Sequence, residues 1–218
     1  MAARQDGSAV AERHAIPTRL LRSTPIGTKL RGVAPTEETT RVQVIETGRL
    51  LLRRLEVGDA PFIFELVNDP AWLRYIGDKG VRSLDDACDY IRNGPLDMYS
   101  RHGFGLYCVE LRENGTPIGV CGLLKRDSLP DADIGFAFLP AFRSQGFARE
   151  SAAATLAYAR QTLSLERVLA IVSPDNQDSA KLLEKIGLRL ERSACLADGS
   201  DPVNIFAIDF EQEGGSAR

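Results

Sequence analysis

From Asp133 to Glu150 the chain reads Asp133-Ile134-Gly135-Phe136-Ala137-Phe138-Leu139-Pro140-Ala141-Phe142-Arg143-Ser144-Gln145-Gly146-Phe147-Ala148-Arg149-Glu150. An apolar strand ends at a proline, a short loop follows, and a helix starts at a small-residue step. Such a loop leaves several backbone N–H groups without partners at a helix N-terminus. Those donors, with the positive end of the helix dipole, favour an anion such as a pyrophosphate. Gly146 lets the backbone approach that anion with no Cβ in the way, and Ala148 keeps the next turn thin. Two well-known phosphate loops are absent, since the chain has neither G-x-x-x-x-G-K-[ST] nor G-x-G-x-x-G. Spacing alone leaves two readings open, a phosphate cradle or a plain strand–helix turn.

The elements around this segment follow from periodicity and punctuation. Arg49–Leu55 reads as a strand. Asp59-Ala60-Pro61 reads as an N-cap with an early-helix proline, opening a helix over Phe62–Asn68. Ser83, followed by Asp85 and Asp86, caps a second helix expected to end near Asn93-Gly94-Pro95. Phe104–Arg112, Pro117–Lys125 and Asp133–Leu139 form an antiparallel meander, with Asn114-Gly115 at its first hairpin. Gly146–Leu163 places Ala148, Ala152, Thr155, Leu156, Ala159 and Leu163 on one face, a stripe thin enough to lie close on a sheet. Arg167–Val172 is a continuous apolar strand, consistent with burial on both faces. Asp178–Ile186 is a helix closed by Gly187, and Leu188–Glu191 and Val203–Phe210 complete the sheet. The crossover from Asp133 to Val172 requires a parallel pair, so the sheet is mixed α/β.

Composition narrows the function classes. With 218 residues, 44% hydrophobic, 26% charged and a net charge of −3, the chain is ordinary for a soluble globular protein. Neither sign of charge dominates, which gives no case for nucleic-acid binding. No run of about 18 apolar residues exists to span a membrane, and the start of the chain has no apolar signal region. The expected compartment is the cytoplasm. Cys88, Cys108, Cys121 and Cys195 show no metal-ligand spacing, and His14 and His102 are the only histidines, so no metal is expected. Free, mostly buried thiols are the expectation for all four cysteines. The first 40 residues carry six basic and four acidic side chains, three prolines and no sustained period. Residues 1–45 read as an extension, either disordered or a partner-docking arm; an Arg-rich organellar presequence is the third reading, against which the interrupting acidic residues count. A domain is expected over 46–212 and a flexible tail over 213–218.

Three ordered motifs resemble one family. Arg143-Ser144-Gln145-Gly146-Phe147-Ala148 resembles the R/Q-x-x-G-x-G/A signature of the GNAT superfamily of acetyl-CoA-dependent N-acetyltransferases, and Glu150 fits the acidic residue that often follows. Asn176-x-x-Ser179-x-x-Leu182-Leu183-Glu184-Lys185-Ile186-Gly187-Leu188 resembles the family's N-x-x-S-x-x-L-x-E-K-x-G-F helix. Glu46-Thr47-Gly48-Arg49-Leu50-x-Leu52-Arg53 resembles the opening strand of the branch that contains ribosomal-protein N-terminal acetyltransferases. The resemblance covers about Glu46 to Phe210. It implies a central twisted mixed sheet of about seven strands, flanked by about four helices, with a splayed parallel strand pair. The pantetheine arm of acetyl-CoA would pair with Phe136, Phe138 and Leu139. Arg143, Ser144, Gln145, Gly146, Phe147 and Ala148 would wrap the pyrophosphate, and Asn176 and Ser179 would flank the thioester.

The implied reaction is attack of a primary amine, either a protein N-terminal α-amine or a small-molecule amine, on the thioester in a ternary complex. Asp133 is the candidate base, acting directly or through water; otherwise it is a solvated carboxylate beside Asp131. Many relatives protonate the leaving thiolate with a tyrosine, but Leu183 stands at the matching position. Ser179 is then the candidate acid, or else a first-turn residue bonded to backbone. Asn176 either orients the cofactor or caps its helix. Asp69-Pro70-Ala71-Trp72-Leu73 resembles a run common in this branch, which makes Trp72 and Tyr75 candidates for the amine pocket; a Trp there is otherwise core. Family habit suggests a homodimer. The alternatives are a catalytically inactive CoA-binding module used in regulation or assembly, and an enzyme using a longer acyl group.

Overall fold

The computed structural model describes residues 41–196 and 201–210. The expected extension therefore lies outside the described residues as far as residue 40, as does the tail over 213–218. One mixed sheet of eight strands has the order β1-β2-β3-β4-β5-β6-β8-β7. Its strands are β1 Gln43–Glu46, β2 Leu50–Arg54, β3 Leu106–Leu111, β4 Pro117–Leu124, β5 Asp133–Phe138, β6 Arg167–Val172, β7 Arg189–Ala194 and β8 Val203–Asp209. The eighth strand is β1, which pairs antiparallel with β2 and begins before the boundary expected at Glu46. It is too short for alternation to announce it. Among the described residues the only parallel pair is β5 with β6, joined by the expected crossover.

Six α-helices flank the sheet among the described residues: α1 Ala60–Val67, α2 Pro70–Tyr75, α3 Leu84–Ile91, α4 Asp97–His102, α5 Phe147–Gln161 and α6 Gln177–Lys185. Two of them exceed the expected number. Asp69 stops α1 and restarts the chain as α2, accepting hydrogen bonds at Oδ1 from the N–H groups of Ala71 and Trp72. The helix begun at Ser83 does not end at Asn93-Gly94-Pro95. It passes through a π-helical turn, Arg92–Leu96, into α4 and stops at Gly103, whose φ is +78°. A wide turn accommodates a proline because Pro95 has no N–H to leave unpaired.

The sheet separates the two larger of the three hydrophobic cores among the described residues. α5 lays Ala152, Leu156 and Ala159 on the face formed by Leu50, Val109, Ile134, Phe138 and Val168. On the other face α1, α2 and α3 cover Cys108, Val120 and Leu139 with Ile63, Leu66, Trp72, Ala87 and Ile91. Cys108 and Cys121 are buried free thiols as expected, whereas Cys195 is exposed. Asp59 departs from its expected role: it makes no side-chain cap on α1. Its carboxylate instead receives the buried guanidinium of Arg53 through two bonds of 2.7 Å, and Glu110 takes a third from Arg53 Nε at 2.8 Å. Among the described residues no helix is long and apolar enough to cross a membrane, and no cluster of His, Cys, Asp and Glu is placed to hold a metal.

Candidate active site

β5 pairs with β4 along its whole length, from Asp133↔Leu124 to Phe138↔Gly119. Against β6 it makes a single bridge, Asp133↔Leu169, with the Leu169 N–H donating to the Ala132 carbonyl at 2.9 Å. Beyond that point the two strands part, and β6 pairs with β8 from Arg167 to Val172. The Leu139 N–H donates to Ile118 at 2.9 Å on the β4 side. Alternation then turns the N–H groups of Phe136 and Phe138 toward the gap. The aromatic side chains of both lie in the α5-side core, so these residues present backbone to the gap and not rings. The split opens toward the C-terminal ends of the strands, where the loop Arg143–Ala148 sits.

That loop is shaped at two left-handed positions, Ser144 at φ +60° and Gly146 at φ +83°. Left-handed residues next to a helix start curl consecutive N–H groups into a concave, anion-binding surface. Gly146 caps α5, and its carbonyl accepts from the Glu150 N–H at 3.0 Å. Glu150 faces away from the concavity and fastens the β1–β2 turn, accepting from Thr47 Oγ1 at 2.6 Å, the Arg49 N–H at 3.0 Å and Arg49 Nε at 2.7 Å. Burial would raise its pKa, but the bonds from Thr47 and Arg49 outweigh that and hold it below the usual range. Arg143, expected on the phosphates, points elsewhere. Its Nε donates to the Phe138 carbonyl at 2.8 Å and a terminal nitrogen pairs with Asp69. Asp69 is buried and its charge draws the guanidinium onto the start of α2, so in this arrangement Arg143 ties the loop to α2.

Across the split lies the start of α6. Asn176 caps it, its Oδ1 accepting from the Ser179 N–H at 3.2 Å, which is one of the two roles expected for it. Ser179 is half-buried in the first turn. Leu183 is buried in the core, so no acidic hydroxyl stands at that position. The loop before α6 is joined to α2 by Arg74 and Asp175 at 2.8 Å.

Asp133 lies at the closed end of the split. It shares a face with Gly135 and Ala137, the face covered by α1–α3. It is 2% exposed, so the solvated alternative does not hold. Arg126 Nε donates to its Oδ1 at 2.9 Å. Burial raises the Asp133 pKa above the usual carboxylate value, and the charge and hydrogen bond of Arg126 only partly oppose it. Tyr90 on α3 also feels the Arg126 charge, yet burial pushes its phenol up to about 12. Neither Arg126 nor Tyr90 was expected from the sequence, because no motif marks them; Arg126 bonds Asp133 directly, and Tyr90 is linked to the pair through the Arg126 charge. Trp72, expected to shape the amine pocket, is a core residue. At 5% exposure it packs in the α1–α3 core, with its indole N–H unpartnered. A helix as short as α2 has one buried face, and Trp72 occupies it. Tyr75 is half-buried beneath the Arg74 guanidinium, 4.9 Å from its ring centroid.

Comparisons with known proteins agree with this geometry. Residues 49–189 match the acetyltransferase (GNAT) domain family. YnaD of Bacillus subtilis (strain 168), named as an uncharacterized N-acetyltransferase, is 30% identical over 159 residues, covering 72% of this chain and 90% of its own. A GNAT-family acetyltransferase structure from Bacillus anthracis superposes with a TM-score of 0.65 at 27% identity, covering 76% of this chain and 97% of that one. RimL, a ribosomal L7/L12 α-N-protein acetyltransferase solved with coenzyme A, shares the fold with a TM-score of 0.65 at 22% identity, covering 77% and 97%. The split sheet, the helix-start loop and the matched span have one meaning together: the chain belongs to the GNAT acetyltransferase family.

Proposed function

We propose that this chain transfers an acetyl group from acetyl-CoA to a primary amine, by direct attack in a ternary complex. The observation that carries the reading is the single β5–β6 bridge at Asp133↔Leu169 with a concave helix-start loop at the open end of the split. The residues present fit the cofactor. The strand edge at Phe136 and Phe138 offers backbone N–H groups to an amide-bearing arm, and the N–H groups of Gly146, Phe147 and Ala148 suit a diphosphate. When bound, acetyl-CoA supplies the acyl thioester.

The protein's own part is to place the amine, take its proton and accept the developing charge. Attack forms the C–N bond and breaks the C–S bond, and the amine proton passes to Asp133, directly or through water. Its raised pKa makes Asp133 a stronger base than an exposed carboxylate. Ser179, half-buried in the first turn of α6, is the donor nearest in kind to the leaving sulfur. A free α-amine, with a pKa of about 7.7–8.0, is neutral far more often at pH 7 than a lysine at about 10.4. That makes a peptide N-terminus the easier acceptor.

Calorimetric titration of acetyl-CoA into the wild type and Gly146→Glu tests the reading. The variant adds a Cβ at φ +83° and a carboxylate at the positive end of α5. Micromolar binding by the wild type is expected, weakened more than about a hundredfold in a folded variant. A thiol-release screen of peptides with free N-termini and small amines then identifies the acceptor. No binding by folded wild type would overturn the reading.

A further inference from the structure

Arg49 stands at the outer side of the loop, more than a hundred residues from Glu150 in sequence. It is half-exposed, and its guanidinium lies 4.4 Å from the Phe147 ring centroid. Three of its nitrogens are committed. Nε and Nη2 meet Glu150 Oε2 at 2.7 Å, and Nη1 donates to the Gln145 carbonyl at 3.1 Å. An ideal Cβ on Gly146 would come 3.4 Å from Arg49 Nη2, so the guanidinium covers that side of the loop.

The consequence lies in the Gln145–Gly146 peptide. A trans peptide is planar, and its N–H points opposite to its C=O. Holding the Gln145 carbonyl outward, against Arg49, turns the Gly146 N–H inward, toward the concave side. The left-handed residues at 144 and 146 make this peptide free to rotate otherwise, because neither helix nor strand fixes it. Glu150 holds the guanidinium fork, and the fork holds the peptide. A flexible ammonium in place of the guanidinium has no fork to span both acceptors.

We propose that Arg49 is a positioning residue for the diphosphate of the cofactor: through the Gln145 carbonyl it sets the Gly146 N–H toward the anion, while its own charge stays paired with Glu150. This rests on the acetyl-CoA reading above. It makes the opening strand and the loop one binding unit, and it assigns the cradle's geometry to a residue outside the loop itself.

The test is CoA binding by the wild type, Arg49→Lys and Arg49→Met, by calorimetry, with the Gly146 amide followed in ¹H–¹⁵N spectra. Wild type binds and its Gly146 amide proton moves downfield as the anion accepts it. Both variants weaken CoA binding by about tenfold or more, and the downfield shift is lost in both. Three results would overturn the proposal: an Arg49→Lys variant that binds like wild type, which would make charge alone sufficient; variants that bind weakly with the Gly146 shift intact, which would mark a general loosening; or variants unaffected in both readouts. Failure of the wild type itself to bind CoA would instead fail the acetyl-CoA reading, so the two are separable.

Discussion

Asp133→Asn is expected to slow acetyl transfer by about 10²–10⁴-fold and, at neutral pH, to raise the melting temperature. Both effects come from one placement. Asp133 is 2% exposed, and burial raises its pKa more than Arg126 lowers it. A carboxyl whose folded pKa is raised contributes stability that is fully present below the unfolded value of about 3.9. That contribution is lost as pH rises through the folded value. At pH 7 the ionised group therefore costs stability, and an asparagine of the same shape removes the cost. Arg126 is half-exposed, so its charge stays hydrated when its partner is neutral. The melting-temperature gain should shrink as pH falls toward 3, where the wild-type carboxyl is protonated. In the same frame, wild-type kcat rises with pH as Asp133 ionises, and the variant lacks that limb. Melting scans from pH 3 to 8, together with kcat–pH profiles on the identified amine, check both. Undiminished kcat in Asp133→Asn would remove Asp133 as the base and leave it as a partner for Arg126.

What could be read from the chain depended on whether the information was local. The strand, loop and helix from Asp133 to Gln161 sit in one continuous stretch, with Pro140 ending the strand and Gly146 starting the helix. Periodicity and punctuation place them within a residue or two. The same holds for α6, where Asn176 and Gly187 bracket the helix. The side-chain ties that complete the site join residues far apart. Arg49 and Glu150 are 101 positions apart, and Arg143 and Asp69 are 74. No spacing rule links such pairs, so Arg143 read as a phosphate contact when its guanidinium is drawn to a buried carboxylate. Trp72 stayed open between pocket wall and core for a related reason: only the packing of its helix shows which face is inward. Pro95 misled because proline usually ends a helix, and only the wide turn at Arg92–Leu96 lets this one continue.

Arg53 supports the second large effect. It is 1% exposed, and its guanidinium bonds Asp59 through both oxygens, Glu110, and the Arg54 carbonyl. Burial works against its charge, yet the bonds to Asp59 and Glu110 outweigh that and hold its pKa above the usual arginine value. The cluster joins β2, β3 and the start of α1 beneath the helices that cover the Asp133 face. Arg53→Met keeps much of the volume but strands two buried carboxylates, of which Glu110 retains only the half-exposed Arg41, at 3.3 Å. Breaking a buried pair from one side costs about 3–5 kcal/mol, a large share of the roughly 5–15 kcal/mol that holds a domain together. For a chain of this size the melting temperature should fall by about 6–20 °C. Removing every charge behaves differently. The triple variant Arg53→Met, Asp59→Asn, Glu110→Gln leaves no stranded ion, and it should recover most of the loss. Urea denaturation of the single and triple variants separates the two cases. If the triple variant is as unstable as Arg53→Met, the cost lies in lost packing or hydrogen bonding and not in the uncompensated charge. Equal stability of Arg53→Met and wild type would mean that water reaches Asp59 and Glu110 once the guanidinium is gone, and that the cluster sets the register of β2 against α1 without holding the fold.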